Sequence, residues 1–68
     1  MNFESRLKQL RQKSTLSQKA VAEALGITLR QYQRFESGEQ RPGYDNLIRI
    51  ADFFQVSLDW LAGRDNTK

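Results

Sequence analysis

Apolar residues recur every three or four positions along almost the whole chain, and β-branched runs alternating with polar residues at period two are missing. The pattern predicts helices throughout. Phe3, Leu7 and Leu10 form one stripe over residues 3–13, with Asn2 placed to cap the segment and Arg11 and Lys13 near its C-terminal end, where cations complement the helix dipole. Ser17 caps a second helix over 18–25, with Val21, Ala22 and Leu25 inward, and Gly26 supplies the turn residue that ends it. Thr28 opens a third, in which Thr28 to Gln31 has the form of a capping box, and Gly38 stops it. After a polar loop over 39–43 holding the only proline, Pro42, the residues Tyr44, Leu47, Ile50, Ala51 and Phe54 define a fourth stripe. Ser57 caps a short fifth turn over 58–62, closed by Gly63. The expected fold class is therefore all-α: a compact five-helix domain over residues 1–63, followed by a flexible tail or the start of a linker over 64–68.

Length supports a single module, because one core divides into two only beyond roughly 250 residues. At 38% hydrophobic and 28% charged residues the chain can build a core, with little stability to spare. It contains neither cysteine nor histidine, which excludes disulfides, thiolate or imidazole metal sites and every nucleophilic system built on them. Asp45, Asp52, Asp59 and Asp65 lie near helix starts or on solvated surface, and no base, nucleophile or Gly-rich phosphate loop accompanies them. No enzyme activity, cofactor or small-molecule ligand is expected. The N-terminal MNFESRLKQL carries charges where a signal peptide needs an apolar stretch, so a soluble, cytoplasmic chain without a membrane partner is expected.

Charge is distributed unevenly. Residues 1–34 hold seven Lys and Arg against two acids, and the remainder holds four against six. Basicity gathered in one half suggests a polyanionic partner, set against the plainer reading of a solvated face on a small basic domain.

The second and third helices are joined by only a few residues around Gly26 and Ile27, so they turn sharply against each other. Counted from Gln18, Ala22 falls fifth, where the two helices cross most closely, and Gly26 falls ninth, where a positive φ is needed. Val21, Leu25, Ile27, Tyr32 and Phe35 supply apolar contacts at the fourth, eighth, tenth, fifteenth and eighteenth places. A lone Ala or Gly would carry no weight; the joint pattern is that of a helix-turn-helix.

These residues make the chain resemble the Xre/Cro-type helix-turn-helix domains, which include the lambdoid phage repressors. The resemblance runs from about Arg6 to Leu61. It rests on Arg6-Leu7-Lys8-Gln9-Leu10-Arg11, Leu16-Ser17-Gln18, Val21-Ala22-Glu23-Ala24-Leu25-Gly26-Ile27, Phe35-Glu36-Ser37-Gly38, Arg41-Pro42, Leu47-Ile48-Arg49-Ile50-Ala51 and Val56-Ser57-Leu58-Asp59-Trp60-Leu61. Three positions depart from the family pattern: Tyr32 stands where a branched aliphatic is commoner, Gly43 where Ser or Thr caps, and Gln55 where glycine often ends the fourth helix. The resemblance implies a lambda-repressor-like fold and a prokaryotic or phage transcription regulator, usually a repressor. It would bind double-stranded DNA as a homodimer on a palindromic operator, with the third helix in the major groove.

At about 100° per residue, Tyr32 and Phe35 face the core while Arg30, Gln33, Arg34 and Ser37 occupy the opposite side of the third helix. These groups can meet base edges: Arg pairs with guanine, Gln with adenine, and Leu29 or the Thr28 methyl packs on a thymine methyl. The plainer alternative is ordinary solvated helix surface. The resemblance places base readers at these positions. Gln18 begins the second helix, where exposed N–H groups favour a phosphate. The resemblance adds Ser17, Gln40 and Arg41 as companions, and Lys19 supplies a further cation. It also pairs Arg11 with Glu36 beneath the DNA backbone, an ion pair expected to be exposed and to contribute at most about 1 kcal/mol, its main effect being to orient Arg11 toward phosphate.

One such helix reads only a few base pairs, which calls for two copies. Phe53, Leu58 and Trp60 are apolar residues the core does not require, and related domains dimerise through this region, so they are the expected interface of a weak dimer. The alternative for Trp60 is a cap on the core. A second function class remains open: an antitoxin or other protein-interaction module that also binds its own promoter, although no partner-wrapping segment is visible in the sequence.

Overall fold

The computed structural model describes residues 2–63, and the tail expected over 64–68 lies outside them. Five helices follow in order, α1 (Phe3–Lys13), α2 (Gln18–Leu25), α3 (Leu29–Ser37), α4 (Tyr44–Phe54) and α5 (Leu58–Leu61). Four of them start where a short polar side chain satisfies an orphan N–H: Asn2 Oδ1 accepts from Ser5 N, Ser17 Oγ from Ala20 N, Thr28 Oγ1 from Gln31 N and Ser57 Oγ from Trp60 N, all at 2.9–3.0 Å. α4 starts at Gly43 without a side-chain cap, and Asp45 in its first turn is left to complement the dipole. The fifth helix is one residue shorter than its predicted span, because Ala62 forms its C-cap.

Every helix contributes to one core. Phe3 and Leu7 come from α1, Val21, Ala22 and Leu25 from α2, Tyr32 and Phe35 from α3, Ile50 and Ala51 from α4, and Leu61 from α5. Leu10, Leu47 and Phe54, predicted inward, are half-buried and pack against this cluster, whereas Tyr44, placed on the same stripe as Leu47 and Phe54, is exposed at the first residue of α4. Ala22 is almost fully buried at the α2–α3 crossing, and Gly26 turns the chain there with a φ of 75°. No described helix is long and apolar enough to cross a membrane.

Among the described residues, two that are not glycine sit in the left-handed region. Gln55 (φ 58°) ends α4 in the place the family gives to glycine, and its side-chain amide donates to Asp52 O at 2.9 Å. Thr15 (φ 56°), in the α1–α2 turn, is β-branched, which this region tolerates poorly. Thr15→Asn should therefore raise stability by roughly 0.5–1 kcal/mol, since Asn enters the left-handed region more easily. A urea melt checks this, and an unchanged or lower midpoint would mean that the turn stores no strain.

Candidate nucleic-acid interface

α3 lies across the outside of the core with one face pressed inward. Tyr32 and Phe35 are buried, whereas Arg30, Gln33 and Ser37 are exposed and Arg34 is half-buried. Arg30, Gln33, Arg34 and Ser37 border one shallow depression together with Glu39, so the face expected from helical geometry exists, with an acid at its rim. Leu29 is exposed at the start of the helix, and Thr28 beside it commits its hydroxyl to the cap. The Ser37 hydroxyl is engaged at the other end, donating to Arg34 O and accepting from Glu39 N, both at 3.2 Å.

A second depression lies where α1, the start of α2 and α3 converge, bordered by Lys8, Arg11, Ser17, Gln18, Gln33, Glu36 and Ser37. Glu36 is its hub. Arg11 donates to both carboxylate oxygens, Nε to Oε2 at 2.5 Å and Nη2 to Oε1 at 3.1 Å, the fork geometry in which Arg–carboxylate pairs are strongest. Tyr32 OH donates to Oε2 at 2.5 Å and Gln18 Nε2 to Oε1 at 3.1 Å. Gln18 in turn accepts from Gln33 Nε2 at 3.1 Å, and Arg11 Nη1 donates to Leu16 O at 3.1 Å. The expected Arg11–Glu36 pair is present, but it is not an exposed one: the two side chains are only 15% and 5% accessible. Tyr32, on the buried face of α3, brings its hydroxyl to the same carboxylate.

This arrangement sets the protonation states. Burial by itself would raise the Glu36 carboxyl; the hydrogen bonds from Arg11, Tyr32 and Gln18, with the Arg11 charge, outweigh it and hold the group below its ordinary value of 4.5. Tyr32 is pushed well above its ordinary value of 10.0, first by burial and then by the carboxylate that accepts its proton. The consequences for stability have opposite signs. With its folded value depressed, Glu36 stabilises the fold fully above about pH 4.5, and that contribution disappears as pH falls through the folded value. With its folded value raised, Tyr32 contributes fully below pH 10.0 and its contribution declines as pH rises beyond it. Glu36→Gln should flatten the acid limb of a stability–pH profile and Tyr32→Phe the alkaline limb, both read from urea midpoints. Limbs that match the native profile in both variants would contradict the assignment.

Of the other expected phosphate contacts, Ser17 borders the second depression, while Lys19, Gln40 and Arg41 lie outside both. Ser17 spends its hydroxyl on the α2 cap, and Lys19, two residues on, is exposed. Gln40 donates its backbone N–H to Arg34 O at 3.2 Å, and Arg41 lies over the Phe3 ring at 5.7 Å, which anchors the loop after α3 to the core. Lys8 in the second depression was not singled out from the sequence; its i, i+3 spacing from Arg11 was the available signal. At the C-terminal end, Phe53 is exposed and edge-on to Phe54 at 4.9 Å, while Leu58 and Trp60 are half-buried. Trp60 is also tied to α1: the Arg6 guanidinium stacks on its ring at 4.7 Å and donates to its backbone carbonyl.

The helix-turn-helix family model matches residues 7–61. The cryptic phage CTXphi transcriptional repressor RstR of Vibrio cholerae is 39% identical over 64 residues, covering 94% of the chain and 57% of RstR. The HTH-type transcriptional regulator AnsR of Bacillus subtilis is 40% identical over 68 residues, covering the whole chain and 58% of AnsR. The chain thus spans less than two thirds of the length of these curated relatives. Among solved structures, the P22 c2 repressor protein in complex with a synthetic operator superposes with a TM-score of 0.89 at 25% identity, covering 96% of the chain and 98% of the repressor.

Proposed function

The chain belongs to the helix-turn-helix family, of Xre type, and from that premise we propose that it is a sequence-specific DNA-binding transcription regulator, acting as a repressor in the cytoplasm. Two copies bind a palindromic operator, each with α3 in the major groove. The observation that carries this reading is the division of α3 into a buried face of Tyr32 and Phe35 and an outer face of Arg30, Gln33 and Arg34 on a fold that matches an operator-bound repressor. Arg30 and Arg34 reach guanine edges, Gln33 an adenine or cytosine, and Leu29 and the Thr28 methyl a thymine methyl, with Ser37 at the far end. Gln18, Lys19, Gln40 and Arg41 position the duplex by its phosphates, joined by Ser17 and by the Arg11 guanidinium. Phe53, Leu58 and Trp60 meet their counterparts in the second copy; Phe53, the most exposed of the three, leads that contact.

The experiment compares readers with positioners. Arg30→Ala and Arg34→Ala should each cost about 1–3 kcal/mol on the preferred site and relax the preference at one base pair per half-site. Gln18→Ala should weaken all duplexes and also loosen the position read by Gln33, whose side-chain amide it holds. Competition titrations against single-base variants decide it: if both Arg variants keep native discrimination, α3 does not read the groove with this face.

A further inference from the structure

Resting on that reading, we propose that Tyr32 and Glu36 are positioning residues that fix the hydrogen-bonding sense of Gln18 and, through it, of Gln33, so that Gln33 turns its Oε1 to the major groove and selects an exocyclic amine. A glutamine amide offers an acceptor at one corner and donors at the other, and a free one presents either. An ionised carboxylate only accepts. Gln18, at 3.1 Å from Glu36 Oε1, must therefore direct Nε2 inward, which leaves Oε1 pointing toward α3. That oxygen accepts from Gln33 Nε2 at 3.1 Å. The sense set at Glu36 is thus passed along two side chains to an exposed residue on the outer face of α3.

Tyr32 secures the start of the series. Its ring is fully buried, so its hydroxyl must find a partner within the protein, and it donates to Glu36 Oε2. With Arg11 Nε on the same oxygen and Arg11 Nη2 on Oε1, the carboxylate is clamped from two helices and cannot rotate away from Gln18. At the far end, Gln33 keeps Oε1 and its second N–H for the duplex. Adenine meets both, through N6 and N7, and cytosine meets the oxygen through N4. Guanine O6 and thymine O4 are acceptors and would face Oε1 directly.

The test is selection from a random duplex pool by the native chain and by Gln33→Ala, Gln18→Ala and Tyr32→Phe. The native chain should enrich adenine or cytosine at one position per half-site, and Gln33→Ala should lose a preference of about 5- to 150-fold there. Gln18→Ala and Tyr32→Phe should weaken the preference at that same position, although neither side chain meets a base. Full preference retained in both, or guanine or thymine selected by the native chain at that position, overturns the proposal. No enrichment by the native chain removes the DNA-binding reading itself, and the proposal with it, a result distinct from the other two. Side-chain amide resonances of Gln18 and Gln33 in the free protein provide a measurement without DNA. Tyr32→Phe, which keeps the ring that fills the core, should shift both; resonances unchanged from the native chain overturn the series.

Discussion

Affinity for the preferred duplex is expected to fall by roughly three to four decades as salt rises from 50 to 200 mM, the loss that accompanies release of counterions from six to eight phosphates. Four cations per copy are available: Lys8 and Arg11 border the α1–α2–α3 convergence, Lys19 is exposed in the first turn of α2, and Arg41 lies in the loop after α3. Two copies double that number, but Glu36 offsets the charge of Arg11 through its paired hydrogen bonds, which moves the expectation toward the lower end. Screening acts on exposed charges most strongly, and Lys19 and Arg41 are exposed. Fluorescence anisotropy titrations at four or more salt concentrations supply the slope. A flat response would mean that these cations do not meet phosphates.

Arg11→Ala is expected to destabilise the domain by about 3 kcal/mol at neutral pH, several times the effect of an exposed ion pair. The larger value follows from what is left behind. Glu36 would stay in a site that is 5% accessible, with only the Tyr32 hydroxyl and the Gln18 amide to satisfy a charge that burial penalises. Replacing both partners, as Arg11→Leu with Glu36→Leu, should cost less than the single change, because no charge is then stranded. Urea unfolding of the single and double variants gives the comparison; a domain of this size is suited to two-state treatment. A cost for Arg11→Ala below about 1 kcal/mol would return the pair to the class of exposed surface bridges.

What could be read from the sequence was whatever depends on neighbours along the chain. Asn2, Ser17, Thr28 and Ser57 mark helix starts because their side chains reach an N–H three residues on, and Gly26 and Gly38 mark ends because the left-handed conformation is local. The outer face of α3 follows from the same periodicity. The hub at Glu36 was only half legible. Its pairing with Arg11 is implied by the family resemblance, but the burial of that pair arises only when α1 packs against α3, and Tyr32, whose ring reads as core filling, also gives its hydroxyl to Glu36. The i, i+4 spacing of Tyr32 and Glu36 on one helix was the signal available. The tie between Arg6 and Trp60, residues at opposite ends of the chain, has no local signature at all. Thr15 is illegible for a different reason: its left-handed conformation is imposed by the geometry of the α1–α2 turn and opposes the residue's own preference.

In the proposed function the outer face of α3 reads duplex DNA in two symmetric copies. Sequencing the duplexes that the native chain enriches from a random pool tests it most directly. An inverted repeat is expected, its half-site centres about one helical turn, roughly 34 Å, apart. Enrichment of no common sequence, or of a site without two-fold symmetry, would contradict it.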